Sequence, residues 1–399
     1  MQNTHRFSAL YVRDFRFFWF GQAISLSGTW MQSLAQSWLV YSLTRSPLYL
    51  GIVASLSSLP ILVFTLVGGM IADRYPKRNI LIITQALSVL PALALGILTQ
   101  SRLVTVWHVG LVAAFLGTVN AFDIPARQAF LAEVVIKADI TNAIALNSAA
   151  FNGARIVGPV IAGAVIASLG IPACFYLNAL SFAAVIFALW RIDAKDIVVS
   201  HTGGLMEGIK GGWEFVRKER SVFSIMLLIS VFSLFGIPYV TLLPVLAGDI
   251  LKVGARGLSL LVASAGVGSF VAAMMIAFKG EVERKGTFLP LSGLVFSSSI
   301  LALSFAKSLH ISMLFILLAG WGMVSFLATG NSYIQQMVPD ALRGRVMSLY
   351  TLVFLGLAPL GNSLIGVTAE YLGAVTSLKI YAIICILGST IFCKVFKSE

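Results

Sequence analysis

The stretch Gly69-Met70-Ile71-Ala72-Asp73-Arg74-Tyr75-Pro76-Lys77-Arg78 decides the fold. An apolar run ends at Ala72, the charged residues Asp73, Arg74, Lys77 and Arg78 follow, and Pro76 interrupts any helix before a second apolar run begins at Ile80. Both flanking runs reach the length of about 20 residues that a helix needs to cross a bilayer, so the basic turn marks the water-facing end of a membrane hairpin. In that setting Gly69 is expected to let a neighbouring helix approach, and Asp73 to accept hydrogen bonds from another helix's N-terminus, where the dipole favours an anion.

Working outward, the same alternation of apolar run and polar turn covers the chain. Of its 399 residues 58% are hydrophobic and 11% charged, against about 25% charged in a soluble domain, so the lipid bilayer is the solvent for most of it. Twelve segments are long enough to span: 15–42, 48–72, 79–99, 104–126, 141–168, 171–190, 221–248, 256–279, 287–306, 310–337, 344–371 and 376–396. The expected fold is an all-α integral membrane protein with twelve transmembrane helices. Arg45, Arg102, Lys252, Arg256, Lys307 and Lys379 fall on one side and nearly all other bases on the opposite side, which places both termini in the cytoplasm. The formal charge of +12 is therefore mostly topology, and nucleic acid is not an expected partner. Met1 to Asp14 is polar and contains Arg6 and Arg13, so no cleaved leader is expected.

Chemistry inside the membrane finds little support. Cys174, Cys385 and Cys393 lie in apolar runs without paired spacing, and His5, His108, His201 and His310 are isolated. No H-E-x-x-H, G-x-S-x-G or P-loop string occurs. We therefore expect no enzyme, no metal and no cofactor.

The long polar stretch between spans six and seven divides the chain into a first half (1–190), a cytoplasmic linker (191–220) and a second half (221–399). The linker includes Asp193, Lys195, Asp196, Lys210 and Glu214. Within it Leu205, Ile209, Trp213 and Val216 recur at helical spacing beside Lys210, Glu214 and Arg217, which predicts a short amphipathic helix on the inner membrane face. The halves are related. At one constant offset Val135 aligns with Val338, Leu146 with Leu349, Gly158 with Gly361 and Gly163 with Gly366, while Val53-Ala54-Ser55 matches Val262-Ala263-Ser264. Two similar six-span halves imply parallel repeats about an axis along the membrane normal.

Span five carries Gly153-Ala154-Arg155-Ile156-Val157-Gly158-Pro159-Val160-Ile161-Ala162-Gly163. Ala150, Ala154, Gly158 and Ala162, each four apart, form a ladder of small residues suited to close packing, and Pro159 permits a bend. Arg155 is the ionisable residue that falls in mid-membrane, roughly 20 Å along its span at 1.5 Å per residue. A charge placed there is a functional hypothesis by default. It is either a contact for an anionic or catecholate-type substrate or gate, or a packing arginine satisfied by carbonyls or by Asn152 on much the same face.

These motifs carry a resemblance. The 69–78 stretch is similar to motif A of the major facilitator superfamily, and the span-five Gly-Pro element resembles motif C of its antiporters. The stretches 123–130, 142–148, 154–159 and 343–350 look like the enterobactin-exporter-like branch, also called the transmembrane secretion effector family. The resemblance implies a major facilitator fold of two six-helix halves with pseudo-two-fold symmetry in the bacterial inner membrane. It implies export of a small organic molecule, a siderophore or amphipathic drug-like compound, by alternating access with proton antiport, in a monomer. Importer, lipid flippase and membrane sensor are the alternatives. Gly69, Asp73, Arg74, Lys77, Arg78 and Asp123 would then form a gating latch, with Asp123 near the inner end of span four as the carboxylate for Arg74 and Arg78. Gly153, Gly158, Pro159 and Gly163 would form motif C.

In the superfamily spans one, four, seven and ten line the cavity, which nominates Gln22, Gln32, Gln36, Asn120, Tyr239, Asn331 and Gln335 for substrate, joined by Asn147, Asn152 and Arg155 of span five. Trp19, Trp30, Trp38 and Trp321 offer stacking surface. Span one has no interior acid and span four lacks the basic motif B residue, so antiport is expected from resemblance, with Asp123, His108 and His310 as the candidate proton groups.

Overall fold

The computed structural model describes residues 8–192, 205–279 and 285–397, and among these it is all helical. In the first half of the chain the helices are α1 (Arg13–Thr44), α2 (Pro47–Arg74), α3 (Lys77–Gln100), α4 (Val106–Glu133), α5 (Ile140–Leu169) and α6 (Ile171–Trp190). The linker helix α7 (Leu205–Lys218) precedes α8 (Arg220–Ile250), α9 (Gly254–Lys279), α10 (Lys285–Leu303) and α11 (Leu309–Met337). A pair, α12 (Asp340–Gly356) and α13 (Ala358–Leu372), makes one long span interrupted at Leu357, and α14 (Ala374–Lys397) ends the series. Eleven of these spans are long and apolar enough to cross a membrane. The twelfth expected span, α1, has the length at 32 residues but not the apolarity, because Gln22, Ser25 and Gln32 sit on its buried face.

The described part of the linker is a helix, Leu205–Lys218. Val216 is buried, Trp213 is exposed, and Gly212 lies so close to Arg345 that a Cβ there would meet the Arg345 backbone carbon at 3.1 Å. The linker charges Asp193, Lys195 and Asp196, with His5, Arg6 and His201, lie outside the described residues, as do the side chains of Leu205, Ile209 and Lys210.

The chain forms two compact units. One comprises Met1–Leu43 with Leu56–His201, the other Thr44–Ser55 with Thr202–Glu399. The first turns of α2 thus fold with the second unit although their sequence belongs to the first half. Within the first unit Phe15, Phe18, Leu81, Phe130 and Leu189 form the core at the end that bears the 69–78 turn.

The internal repeat is visible in how each unit packs. A Cβ at Gly158 of α5 would stand 2.6 Å from the Ser27 carbonyl oxygen of α1, and at Gly361 of α13 2.8 Å from the Leu234 carbonyl oxygen of α8. Without side chains at these points the helix backbones touch, the close approach that packing in lipid favours. The halves differ beside that contact. Pro159 follows Gly158, whereas Asn362 follows Gly361 and accepts a hydrogen bond from Thr241 of α8 at 3.1 Å. Around Thr241, α8 leaves regular α geometry. Phe232–Gly236 and Leu246–Ile250 are π turns flanking a 3-10 segment at Ile237–Leu242, and Pro238 and Pro244 withhold two backbone donors.

Candidate functional site

The 69–78 turn joins α2 to α3 in the first unit, and its charges find partners other than those the sequence suggested. Lys77, the first residue of α3, meets Glu133, the last residue of α4, with Nζ to Oε1 2.8 Å and both side chains only 6% exposed. The Oε2 atom of Glu133 is buried with no hydrogen-bond partner among the described residues. Arg78 donates from Nε to the Leu189 carbonyl at 2.8 Å and from Nη2 to the Trp190 carbonyl at 3.2 Å. These are terminal acceptors of α6, where the helix dipole favours a cation.

Asp123 is therefore not the partner of Arg74 or Arg78. Its Oδ2 accepts from Nε of Arg127, one turn on along α4, at 2.7 Å, and the same pair makes a second contact through Nη2. Its Oδ1 accepts from Thr84 Oγ1 at 2.7 Å and from Gln85 Nε2 at 2.9 Å, both on α3. A buried carboxylate so saturated by donors joins α3 to α4. Asp73 and Arg74 are exposed, and no partner for Asp73 occurs among the described residues. Gly69 also departs from expectation. A Cβ there would meet nothing within 4 Å, while one at Gly68 would overlap the Ala121 carbonyl oxygen of α4. The close approach in this turn of α2 belongs to Gly68.

The second constellation lies along α1 and α5. The Arg155 guanidinium carbon sits 5.6 Å from the Trp30 ring centroid, and Trp30 makes an edge contact with Phe151 at 6.0 Å. Cation and indole compensate each other in a way that tolerates low polarity. Asn152 does not serve Arg155 through its amide nitrogen, which donates to the Ser148 carbonyl at 2.9 Å. Arg155 and Asn147 are part-buried, Phe151 is exposed, and the small ladder Ala150, Ala154, Gly158 and Ala162 is buried, with Gly158 packed against the same Trp30 that Arg155 covers. A Cβ at Gly153 would meet nothing within 4 Å, whereas Gly158 makes the contact with α1.

A third feature belongs to the second unit. At the junction of α11 and α12 a cavity of about 350 Å³ is lined by Asn331, Ser332, Gln335, Gln336 and Arg343. Gln335 Nε2 donates to Asn331 Oδ1 at 2.5 Å, and Lys285 Nζ to Ser332 Oγ at 3.1 Å. Arg343 is tethered by Asp340 at 2.6 Å and by the Gln335 carbonyl at 3.2 Å. Two expected cavity residues, Asn331 and Gln335, thus meet here, beside an arginine and a serine that sequence reasoning did not single out.

The remaining candidates separate. Gln32 accepts from Asn178 of α6 at 2.7 Å in a buried helix-to-helix bond, and Gln22 is also buried, its Oε1 without a hydrogen-bond partner among the described residues. Tyr239 is buried against Phe296, with centroids 5.8 Å apart. Gln36 is part-buried and Asn120 exposed. Trp19 is bonded through its indole nitrogen to the Leu146 carbonyl at 2.9 Å. His108 closes a capping box at the start of α4, its Nδ1 accepting from the Thr105 backbone N–H at 3.1 Å. His310 is exposed near the start of α11.

A family model described as transmembrane secretion effector matches residues 4–398. The staphyloferrin A transporter of Staphylococcus aureus is 26% identical over 383 residues, covering 94% of this chain and 95% of that protein. Macrolide efflux protein A of Streptococcus pyogenes is 22% identical over 363 residues, covering 89% of each. Among solved structures, a bacterial homolog of the human lysosomal transporter Spinster, inward-facing and unoccupied, superposes with a TM-score of 0.75 at 12% identity over 100% of this chain and 98% of that one. A POT family transporter in complex with 5-aminolevulinic acid gives a TM-score of 0.76 at 12% identity, covering 97% and 96%.

Proposed function

Since this chain belongs to the transmembrane secretion effector family of major facilitator transporters, we propose that it exports a small organic molecule across the bacterial inner membrane by alternating access, coupled to proton antiport. The family is one of membrane transporters for small molecules. Outward direction is supported by the macrolide efflux relative and by the antiporter-type Gly158-Pro159 element. The skew of Lys and Arg supports cytoplasmic termini.

The observation that carries the substrate reading is Arg155, a cation halfway along α5 held over Trp30 at 5.6 Å with Phe151 beside the indole. A cation over one indole, with a second aromatic ring against that indole, suits a molecule that combines an anionic group with a flat apolar body. Siderophore-like and amphipathic drug-like compounds meet that description, and the siderophore transporter among the relatives favours the first. Asn147, Asn152, Gln36 and Asn120 in the first unit, and the cavity at Asn331 and Gln335 in the second, are the accompanying polar contacts we assign to cargo. Motif A, with Lys77 bound to Glu133, is assigned to gating.

The test is uptake of candidate siderophores and amphipathic drugs into inverted membrane vesicles with and without an imposed proton gradient. Gradient-dependent accumulation is the expected result. Accumulation indifferent to the gradient would remove the antiport claim, and uptake only into right-side-out vesicles would make the protein an importer.

A further inference from the structure

The two halves of the chain bury a lysine at corresponding places and treat it differently. Lys77 is the first residue of α3 and Lys285 the first described residue of α10, and they are 5% and 9% exposed. Seven residues further on, Thr84 of α3 and Ser292 of α10 are both buried, so the two helices share a register. The helices that follow, α4 and α11, align through Val135 and Val338, which sets Gln336 at the position of Glu133. In the first half the lysine ends on that acid, with Lys77 Nζ 2.8 Å from Glu133 Oε1. In the second half α11 contains no Asp or Glu, and Lys285 Nζ donates to Ser332 Oγ of α11 at 3.1 Å.

Ser332 and Gln336 are four residues apart and share a face of α11. Both line the cavity of about 350 Å³ at the junction of α11 and α12, and Arg343 closes it from the first turn of α12. Where the first half holds a buried carboxylate, the second thus has an exposed amide beside open space. The charge there has a definite sign. Lys285 and Arg343 bring two positive charges, and Asp340, bound to Arg343 Nη2 at 2.6 Å, returns one. The hydrogen bonds have the same sense. Ser332 Oγ accepts from Lys285, which leaves its own hydroxyl proton to donate, and Arg343 spends Nε on the Gln335 carbonyl and Nη2 on Asp340, which leaves Nη1. A hydroxyl backed by an ammonium, with a guanidinium edge beside it, is a donor set for an oxyanion.

We infer that this cavity binds a compact oxyanion, a carboxylate or phosphate group, in the place that Glu133 fills from within the chain in the first half. Cargo and a phospholipid headgroup are the two sources of such a group. As a group of cargo, it names the chemistry this cavity recognises and rests on the exporter reading. As a lipid phosphate, it is independent of that reading.

The test is thermal melting of the purified full-length protein in a non-ionic detergent, titrated with acetate, inorganic phosphate or chloride at matched ionic strength. Acetate and phosphate should raise the melting temperature by a few degrees where chloride does not, since a ligand that binds only the folded state stabilises it. Gln336→Glu supplies the carboxylate from within, so it should melt above the parent without added anion and lose the response. Lys285→Gln should raise the half-maximal anion concentration about tenfold, the loss expected for one charge-assisted hydrogen bond. An equal response to all three salts, or a Gln336→Glu protein that responds as the parent does, would overturn the inference. Should Lys285→Gln fail to fold, the Gln336→Glu result decides alone. Nanodiscs separate the sources. Higher melting of the parent in phosphatidylglycerol than in phosphatidylcholine, absent in Gln336→Glu, assigns the oxyanion to lipid, and equal melting in the two assigns it to a soluble ligand such as cargo. No arm measures transport, so an anion response without export would count against the exporter reading alone, and export without an anion response against this inference alone.

Discussion

Lys77 and Glu133 meet at 2.8 Å with both side chains almost wholly withdrawn from the surface. Breaking such a pair from one side leaves an uncompensated buried charge and costs about 3–5 kcal/mol, whereas replacing both partners with apolar groups is often close to neutral. Glu133→Ala should therefore lower folded yield and melting temperature in detergent sharply. The double variant Lys77→Met with Glu133→Leu should recover most of both. A double variant as unstable as the single one would show that the pair does not govern stability at this end.

Gly68 and Gly69 make opposite predictions although they are adjacent. Gly68→Ala places a methyl group against the Ala121 carbonyl of α4 and should destabilise by about 1–3 kcal/mol, the usual range for overpacking. Gly69→Ala meets open space and should remain within about 0.5 kcal/mol of the parent. Melting in detergent and membrane abundance check both.

Much of this architecture was legible in the sequence because the bilayer imposes length and apolarity on each span, and the repeat spacing of Gly158 with Gly361 survives as equivalent contacts. The linker helix was legible for a similar reason, an apolar stripe at helical spacing. What sequence spacing could not supply was the partner of each side chain. Asp123 and Glu133 both lie toward the same end of α4 and both meet α3, but ten residues set them about 15 Å apart along the helix, so they reach different turns of it. One takes Thr84 and Gln85 beside its own neighbour Arg127, and the other takes Lys77. A rotation of about 100° separates Gly68 from Gly69, and only the first faces α4. The attachment of Thr44–Ser55 to the second unit was invisible for a different reason. Its contacts run to residues about 300 positions away, among them Glu370, and no local signal announces them.

Arg155 should prove more demanding than a simple positive charge. Its guanidinium lies over Trp30, and a planar group stacks on an indole in a way that a lysine ammonium does not reproduce. Arg155→Lys should keep normal membrane abundance yet reduce transport several-fold, and Arg155→Ala should reduce it further. Trp30→Ala should resemble Arg155→Lys, and the two together should be no worse than the more damaging single change, since they remove one shared contact. Initial rates in inverted vesicles, normalised to protein, provide the measurement. Normal transport by Arg155→Ala would reduce the residue to packing.

His108 offers a test of where protons are not carried. Its Nδ1 accepts from the backbone N–H of Thr105 at 3.1 Å and lies 3.0 Å from the Thr105 hydroxyl, the reciprocal arrangement that usually places Glu or Gln three residues after the cap. This ring is occupied in holding the start of α4, at the end of the helix remote from Asp123 and Glu133. His108→Ala should therefore cost about 1 kcal/mol of stability through the lost cap. His108→Gln keeps an acceptor at the same position and cannot titrate, so it should restore stability. If His108 only caps α4, transport by His108→Gln measured from about pH 5.5 to 8, the range in which a histidine changes charge, should follow the parent profile. A flattened or displaced profile with unchanged abundance would instead place this histidine on the proton path, and the cap would then be a secondary consequence of where that path requires the ring to stand.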